Sequence, residues 1–300
     1  MKIAIAGGTG FIGKHLIRHF LQERHSVILI SRRYTEQADP NVRTVTWAEL
    51  ENNTGSLEGV DAIVNLAGES INQRWTAAAK ERILQSRLDT VGRIVSLVDR
   101  LQAKPSVVVN ASGMSIYGTS ETEEFDESSP KRITDFLADT VEKWEAAIDR
   151  IRGVRVVKLR VGVVLGNDGG AFPKMAMPYK LWVGGRIGSG RQVLSWIHIR
   201  DMVRLIDFCI RHDGISGPVN ATAPNPVTND EFGRALGRAL GRPHLFPVPA
   251  FMFNLLFGEL AVLLLEGQRV IPRVLLRHGF EFEYPTIERA LTALTKGGSD

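Results

Sequence analysis

A glycine-rich turn near the start of the chain constrains the fold more than any other feature. Residues 3–6 are apolar, residues 7–13 read GGTGFIG, and an amphipathic stretch follows. Gly8, Gly10 and Gly13 satisfy the spacing G-x-G-x-x-G, in which small residues permit a tight turn, close approach of the backbone to a pyrophosphate and packing of a helix on a strand. Because helix N-termini also favour anions, the turn predicts a dinucleotide site. Its expected cofactor contacts are Gly7, Thr9, Gly10, Phe11, Ile12 and Gly13.

Short apolar runs alternate with helical patterns through the first half of the chain. Strands that are buried on both faces are almost continuously apolar, so this alternation predicts an α/β fold with a doubly wound parallel sheet of the Rossmann type. The predicted strands are residues 3–6, 27–30, 44–46, 62–66, 107–111 and 154–159.

The character of the sequence changes after about residue 168, where glycines and prolines become frequent. We expect a dinucleotide-binding domain over residues 1–168 and a smaller C-terminal α+β lobe over residues 169–300, which acts as substrate side or lid. Segments near 191–224 are expected to rejoin the core. Within the lobe, Thr228 and Glu231 have the spacing of a capping box, which predicts the start of a helix.

Composition narrows the classes of partner. Lys and Arg total 37 against 33 Asp and Glu, and the net charge of +4 is scattered, which suits a small anionic molecule better than a nucleic acid. A lone cysteine, Cys209, in apolar surroundings indicates an inert buried thiol and a reducing compartment. We find no signal peptide and no apolar run long enough for a membrane span, so we expect a cytoplasmic protein.

The end of the second strand indicates which dinucleotide is bound. An NAD site usually places Asp or Glu about 20 residues beyond the glycine turn. Here Ser31, Arg32 and Arg33 occupy that position, and no acid precedes Glu36. Two guanidinium groups and a hydroxyl suit a 2′-phosphate, so the cofactor is expected to be NADP(H). The alternative is that both arginines cap an exposed strand end.

Three further segments resemble the extended short-chain dehydrogenase/reductases, the superfamily of nucleotide-sugar epimerases and dehydratases. Residues 61–68 are similar to the family's fourth strand and the loop under the cofactor ribose. Residues 110–118 resemble its fifth strand with the Ser/Thr segment, and residues 195–201 resemble its late substrate-side motif. The resemblance implies cofactor contacts from Leu66, Ala67, Gly68, Glu69 and Ala111.

The resemblance is most specific to an atypical epimerase-like subfamily with a C-terminal domain of unknown function, sometimes labelled cell-division-inhibitor-like. This subfamily implies a fold and a cofactor but has no settled activity to lend. The segments that carry the resemblance are Arg74-Trp75, Ser86-Arg87 and residues 169–172, 188–190, 220–224, 267–272 and 279–280.

The superfamily's catalytic pair, Tyr-x-x-x-Lys, is absent. The residues four positions after the four tyrosines are Ala38, Glu121, Val183 and Glu288. Phe136 lies 24 residues after Ser112, which is similar to the family's Ser-to-Tyr interval, so the resemblance aligns Phe136 with the tyrosine and Thr140 with the lysine. A phenyl ring carries no exchangeable proton and a threonine carries no charge.

Four residues are candidate substitutes for the missing pair. Ser112 can hydrogen-bond a substrate carbonyl or simply satisfy backbone groups. Tyr117 has a phenol but is a packing residue in the related proteins. Glu69 is a possible acid/base group or a solvated carboxylate, and Lys143 lies two helical turns after Phe136. All four remain open from the sequence.

Other polar residues have weaker signals. Arg160 ends a strand, where it can hold the cofactor or a substrate carboxylate or form an ordinary ion pair. Leu194 occupies the place of the arginine that binds a diphosphate in nucleotide-sugar enzymes, unless Arg191 serves instead. His198 is interpreted as a core histidine, and no residues have metal-ligand spacing. An apolar lobe core is expected, with a substrate pocket or homodimer surface as the alternative, from Phe246, Phe251, Phe253 and Phe257.

Two functions therefore remain open from the sequence. The first is an NADP(H)-dependent, epimerase-like oxidoreductase acting on a small anionic or carbonyl substrate, with a displaced proton donor. It predicts an open polar cavity that contains Ser112, Tyr117 or Glu69. The second is a non-catalytic NADPH-binding regulatory or sensor protein, and it predicts that Phe136 and its neighbours fill the cavity.

Overall fold

A central parallel sheet organises the molecule in the computed structural model, which describes residues 1–251, 255 and 258–296. Over these residues the sheet has seven strands in the order β7-β6-β5-β4-β1-β2-β3, and every pairing in it is parallel. The strands are β1 (Lys2–Ala6), β2 (Ser26–Ser31), β3 (Val42–Thr46), β4 (Ala62–Asn65), β5 (Val107–Gly113), β6 (Arg155–Val161) and β7 (Gly217–Ala221).

Helices cover both faces of the sheet and build the C-terminal lobe. The helices of the described residues are α1 (Phe11–Gln22), α2 (Trp47–Asn52), α3 (Ala77–Arg100), α4 (Phe136–Ile148), α5 (Phe172–Lys180), α6 (Ile199–Arg211), α7 (Asn229–Leu240), α8 (Val262–Leu265), α9 (Arg273–Arg277) and α10 (Ile287–Lys296). Three short 3₁₀ turns are Gly55–Leu57, Met114–Tyr117 and Gly258–Ala261.

Three pairs of short strands lie outside the main sheet. Two pairs are parallel, Glu124–Phe125 with Arg269–Val270 and Val163–Leu165 with Trp196–His198. The third is antiparallel, Val193–Leu194 with Val227–Thr228.

Alternation along β1 shows how the sheet is buried on both faces. Ile3 and Ile5 pack into a cluster with α1 and α6, whereas Ala4 and Ala6 pack into a second cluster with α2, α3 and α4. All four side chains are completely buried. The doubly wound sheet predicted from the sequence is therefore confirmed, because neither face of a strand is left for polar residues.

Local signals place several helices as predicted. The capping box before α7 is present, with the Thr228 hydroxyl accepting the N–H of Glu231 and the Glu231 carboxylate accepting the N–H of Thr228. In α4 the apolar residues spaced three and four positions apart form one buried stripe, as helical periodicity predicts: Leu137, Val141, Trp144 and Ile148. The lobe has its own apolar cluster, formed by α5, α7 and α10, with Phe172, Phe232 and Leu291 among its members.

The prediction of a phenylalanine core in the lobe is wrong where it can be checked. Phe246 is 52% exposed and Phe251 is 68% exposed. Phe253 and Phe257 lie outside the described residues. The error arose because apolar spacing predicts a buried face only where a partner element covers it. Over the described residues, no helix combines the length and apolar character needed to span a bilayer.

Candidate cofactor and active site

The carboxyl ends of the strands meet at one edge of the sheet and form a crevice. The strand order reverses beside β1, with β2 on one side and β4 on the other. The register aligns Ala6 with Ile30 and with Asn65, and Asn65 with Asn110. The turns after these strands therefore lie together. In open α/β sheets this switch point is where ligands bind.

The glycine turn has the geometry of a phosphate cradle. Gly7 has a φ of 82°, and a Cβ there would lie 2.6 Å from the carbonyl carbon of Leu66. A Cβ on Gly13 would lie 2.4 Å from the carbonyl oxygen of Gly7, so helix and turn are in direct backbone contact. Gly10 is the N-cap residue of α1 and, because it has no side chain, makes no capping hydrogen bond to the helix. The first N–H groups of α1 are thus left for an anion, as such helix starts favour.

Phe11 contributes packing as well as a backbone position at the turn. Its ring fills a hollow lined by backbone, since Cβ atoms on Gly166, Gly169 and Gly170 would lie 2.6 to 2.9 Å from it. Thr9 is exposed beside the ring, and Ile12 is half-buried. Larger residues at Gly166, Gly169 and Gly170 would therefore collide with the Phe11 ring. The spacing of the glycine turn did not predict this contact.

Two unpaired cations stand at the end of β2. Arg32 and Arg33 are exposed, and no described carboxylate pairs with either guanidinium. The Ser31 hydroxyl donates to the carbonyl of Arg33 and holds the bend. Arg32 is close enough to Glu69 to help lower the pKa of that carboxyl. These side chains border the switch point, at the end of the strand that pairs with β1.

Helix α3 clamps the loop that follows β4. The N–H of Glu69 donates to the Ser86 hydroxyl at 3.0 Å, and the Arg87 guanidinium donates to the carbonyl of Glu69 at 3.1 Å. Arg82 and Gln73 donate to the Glu69 carboxylate at 3.3 and 3.2 Å. Ser86 and Arg87, which are adjacent in α3, thus hydrogen-bond to the N–H and the carbonyl of the same loop residue, Glu69. The sequence resemblance had singled out Ser86-Arg87 without giving this role.

Arg87 is a half-buried cation beside this loop. Its guanidinium carbon lies 5.0 Å from the ring centre of Trp144, and a Cβ on Gly68 would lie 3.1 Å from that carbon. Burial lowers the pKa of Arg87 to about 10, partly offset by the charge of Glu69. Gly68 is therefore needed for close approach of the guanidinium to the loop.

We expect Arg87→Met to loosen the loop without unfolding the sheet. Losing the bond to Glu69 should speed amide hydrogen exchange over residues 66–69 by about tenfold, since one such bond is worth about 1 kcal/mol or more. Exchange mass spectrometry measures this. Arg93→Met is the matched control. Arg93 lies on α3 like Arg87, but its guanidinium stacks over the Trp47 ring and does not touch the loop. Equal exchange in both variants would rule out the clamp.

A buried polar network lies beneath the expected reaction site. The carboxylate of Glu145, in α4, accepts hydrogen bonds from Nε and Nη2 of Arg160, each at 2.9 Å, and from the Ser112 hydroxyl at 2.8 Å. Arg160 also donates to the Tyr117 hydroxyl at 2.8 Å, and that hydroxyl donates to Asn220 at 2.7 Å. All five side chains are at most 6% exposed. Asn220 continues the network to the backbone by donating to the carbonyl of Ile271 at 2.9 Å.

This network contains three of the residues that were predicted to belong to the site. Ser112 donates its proton to Glu145 and so is not free to donate to a substrate carbonyl. Tyr117 is completely buried, and burial raises the pKa of its phenol to about 12 against the opposing effect of Arg160. Arg160 forms an ion pair with Glu145, which is the alternative interpretation given above, and its side chain is 4% exposed.

Glu145 was missed from the sequence, although a signal was present. It follows Val141 by four residues and therefore lies on the buried side of α4. Burial by itself would raise the pKa of Glu145, but the hydrogen bonds and charge of Arg160, with the bond from Ser112, hold that pKa below its usual value. A carboxylate on a core-facing position requires a buried cation, and Arg160 supplies it.

The positions aligned with the catalytic pair are filled by packing residues. The Phe136 ring packs edge-on against Trp75, with 5.5 Å between centroids, in a cluster with Leu137. Thr140 is 1% exposed and donates to the carbonyl of Phe136 at 2.8 Å. Lys143 is exposed and pairs with Asp139, so it does not replace the family's lysine. Phe136 and Thr140 thus offer no acid or base.

Glu69 is the carboxylate among the candidate substitutes, and it is accessible to solvent. Hydrogen bonds from Gln73 and Arg82 hold the pKa of its carboxyl below the usual value, despite some opposing burial. Its side chain is 35% exposed. A carboxylate that is ionised at neutral pH can accept a proton but is a poor donor, so the general-acid half of the predicted role is not supported.

The remaining predictions concern residues away from catalysis. His198 is 4% exposed, its ring nitrogen accepts the N–H of Arg200, and burial lowers its pKa to about 4, as suits a core histidine. Burial raises the pKa of Cys209 to about 12, which confirms an inert thiol. Arg191 is exposed and pairs with Glu121. In the part of the chain that is described, no group of side chains could hold a metal ion.

The sheet order, the glycine cradle and the switch-point crevice define a dinucleotide-binding α/β protein. The chain belongs to the NAD dependent epimerase/dehydratase family, whose family model matches residues 3–221. A domain of unknown function, DUF1731, matches residues 248–294.

Full-length relatives share this arrangement. The epimerase family protein YfhF of Bacillus subtilis is 41% identical over 297 residues, which cover 98% of each chain. The mouse epimerase family protein SDR39U1 is 39% identical and covers 97% of this chain and 98% of its own. A crystal structure of human SDR39U1, isoform 2, with NADPH is 39% identical, covers 99% of each chain and superposes with a TM-score of 0.91.

Proposed function

We propose that this chain binds NADPH and holds it without the tyrosine-dependent proton transfer of its superfamily. The observation that carries the proposal is the packing at the aligned catalytic positions, where Phe136 contacts Trp75 and Thr140 bonds to its own helix. Bound NADPH supplies a hydride, but carbonyl reduction also needs a proton at the oxygen. Neither Ser112 nor Tyr117 has a free proton to give.

The choice of NADPH rests on charge at the end of β2. The cations Arg32 and Arg33 are exposed and unpaired among the described residues. Residues 24–35, which include the end of β2, contain no acid that would repel a 2′-phosphate. The human relative crystallised with NADPH supports the same cofactor. In this chain the glycine turn would hold the pyrophosphate, and the loop of residues 66–69 would lie under a ribose.

A holding role predicts binding without turnover. With NADPH in excess, calorimetry should give saturable binding, whereas absorbance at the reduced nicotinamide band should stay constant when small carbonyl and anionic compounds are added. Phe136→Tyr should leave binding intact. A wild-type chain that oxidises NADPH in the presence of one such compound would contradict the holding role while leaving the cofactor assignment in place.

A second candidate is an epimerase-like oxidoreductase in which Glu69 accepts the proton. The accessibility of Glu69 and its lowered pKa favour it, because the carboxylate is ready to act as a base. Any turnover found should then fall at least tenfold in Glu69→Gln with unchanged NADPH affinity. Glu81→Gln, an exposed carboxylate on α3, is the matched control.

A further inference from the structure

Two segments of the C-terminal lobe lack acidic residues and bring several exposed apolar side chains to the surface. Residues 169–200 and 232–258 contain no Asp or Glu. They are joined by backbone hydrogen bonds, since the N–H groups of Leu245 and Phe246 donate to Gly184 at 2.9 and 3.1 Å. We call this the acid-free face. It exposes the large apolar side chains Leu181 (65%), Trp182 (57%), Leu245 (73%), Phe246 (52%) and Phe251 (68%).

Trp182 occupies a backbone position that normally belongs to glycine. It follows α5 with a φ of 67°. Its N–H donates to Tyr179 at 2.9 Å, and the N–H of Val183 donates to Pro178 at 2.9 Å, which is the pair of bonds of a Schellman motif. The residue in the left-handed conformation of that motif is usually Gly, because a Cβ is disfavoured there. The fold thus holds a large indole at the surface against local preference.

Cations adjoin these apolar side chains. The Arg242 guanidinium carbon lies 4.1 Å from the ring centre of Trp182. Arg242 also borders an open depression of about 450 Å³ with Arg234 and Arg238. Arg234 pairs with Asp230 at 2.7 Å and Arg238 with Glu288 at 3.5 Å, whereas no described carboxylate pairs with Arg242. Lys180 and Arg186 are exposed on the same two segments.

We propose that the acid-free face docks on the surface of an anionic phospholipid membrane. Trp and Phe side chains insert favourably at the headgroup level, and cations beside them are attracted to anionic headgroups. A second copy of the chain fits less well, since a two-fold contact would bring the same cations face to face. The contact is peripheral, and it is independent of whether the cofactor is held or turned over.

Co-sedimentation of the full chain with vesicles tests the proposal. We expect binding to vesicles of phosphatidylcholine mixed with phosphatidylglycerol, little binding to phosphatidylcholine alone, and weakening by salt. The other four tryptophans are at most 8% exposed. A blue shift of tryptophan emission on adding anionic vesicles therefore reports insertion of Trp182.

Trp182→Gly separates docking from folding. Because Gly suits the left-handed position, the variant should keep or raise the Tm while vesicle affinity falls about tenfold or more. Leu276→Ser, at a 43% exposed side chain of α9, is the matched control and should sediment like the wild type. Equal sedimentation with neutral vesicles, no sedimentation, or a dimer in light scattering that Phe246→Ser dissociates would each overturn the membrane assignment.

Discussion

Replacing Arg32 and Arg33 together with alanine is expected to weaken NADPH binding about 100-fold and to leave NADH binding nearly unchanged. Charge-assisted hydrogen bonds to a phosphate are the strong ones, and each tenfold loss of affinity corresponds to about 1.4 kcal/mol. NADH lacks the 2′-phosphate, so it loses little when the two guanidinium groups are removed. Calorimetric titration of NADPH and of NADH into the wild type and into the double variant measures these changes in affinity.

Removing positive charge elsewhere provides the control for this result. Arg18→Ala with Arg43→Ala takes two exposed cations from α1 and β3 and should leave the preference for NADPH intact. If both double variants lost NADPH equally, general electrostatic attraction would account for the binding instead of two specific contacts. If wild type bound neither nucleotide, the cofactor proposal itself would fail.

Glu145→Ala is expected to destabilise the fold by about 3–5 kcal/mol. Truncating one partner of a buried ion pair leaves the other charge uncompensated, and here Arg160 is 4% exposed. The Ser112 hydroxyl also loses its acceptor. Thermal and denaturant unfolding measure the loss. Glu142→Ala on the same helix, at a half-buried position outside the network, should stay within about 0.5 kcal/mol of the wild type.

A paired substitution distinguishes the ion pair from simple packing. Glu145→Met combined with Arg160→Met removes both charges and should recover much of the stability lost by Glu145→Ala, because no charge is left buried. If the double variant were no more stable than the single one, packing and not electrostatics would explain the loss.

The same network predicts a dependence of stability on pH. The pKa of Glu145 in the folded protein lies below the usual 4.5. The ionised carboxylate therefore contributes stability above that value, and the contribution is lost as the pH falls through the lower folded pKa. Wild type and Glu145→Gln should converge in stability in acid. Parallel curves at all pH values would contradict the assignment.

Most of the sheet was predictable because its signals are local. The strand runs are apolar on both faces, and the turn from Gly7 to Gly13 fixes where the first strand ends and the first helix begins. The absence of Tyr-x-x-x-Lys was likewise a fact of spacing. The buried stripe of α4 followed from helical periodicity, which depends only on the geometry of one element.

The individual side-chain roles were less predictable because they depend on partners distant in sequence. Ser112 meets Glu145 across 33 positions, and Tyr117 meets Asn220 across 103. Glu69 is held by side chains of α3 that follow it by 13 to 18 positions. The residue types in a sequence tell which side chains can donate or accept hydrogen bonds, but not which donor pairs with which acceptor in the folded protein.

The sequence alone determined the fold class, the glycine turn at which a dinucleotide is expected and the loss of the superfamily's catalytic pair, since each depends on residue type and spacing along one or two elements. The tertiary structure decided which polar side chains are already hydrogen-bonded within the protein and which apolar side chains remain exposed to solvent. Ser112, Tyr117 and Arg160 were predicted as site residues, and the structure joins their polar groups in one buried hydrogen-bond network. Phe246 was predicted in the core of the lobe and is exposed. Both outcomes follow from pairing and burial, which exist only once the elements have packed.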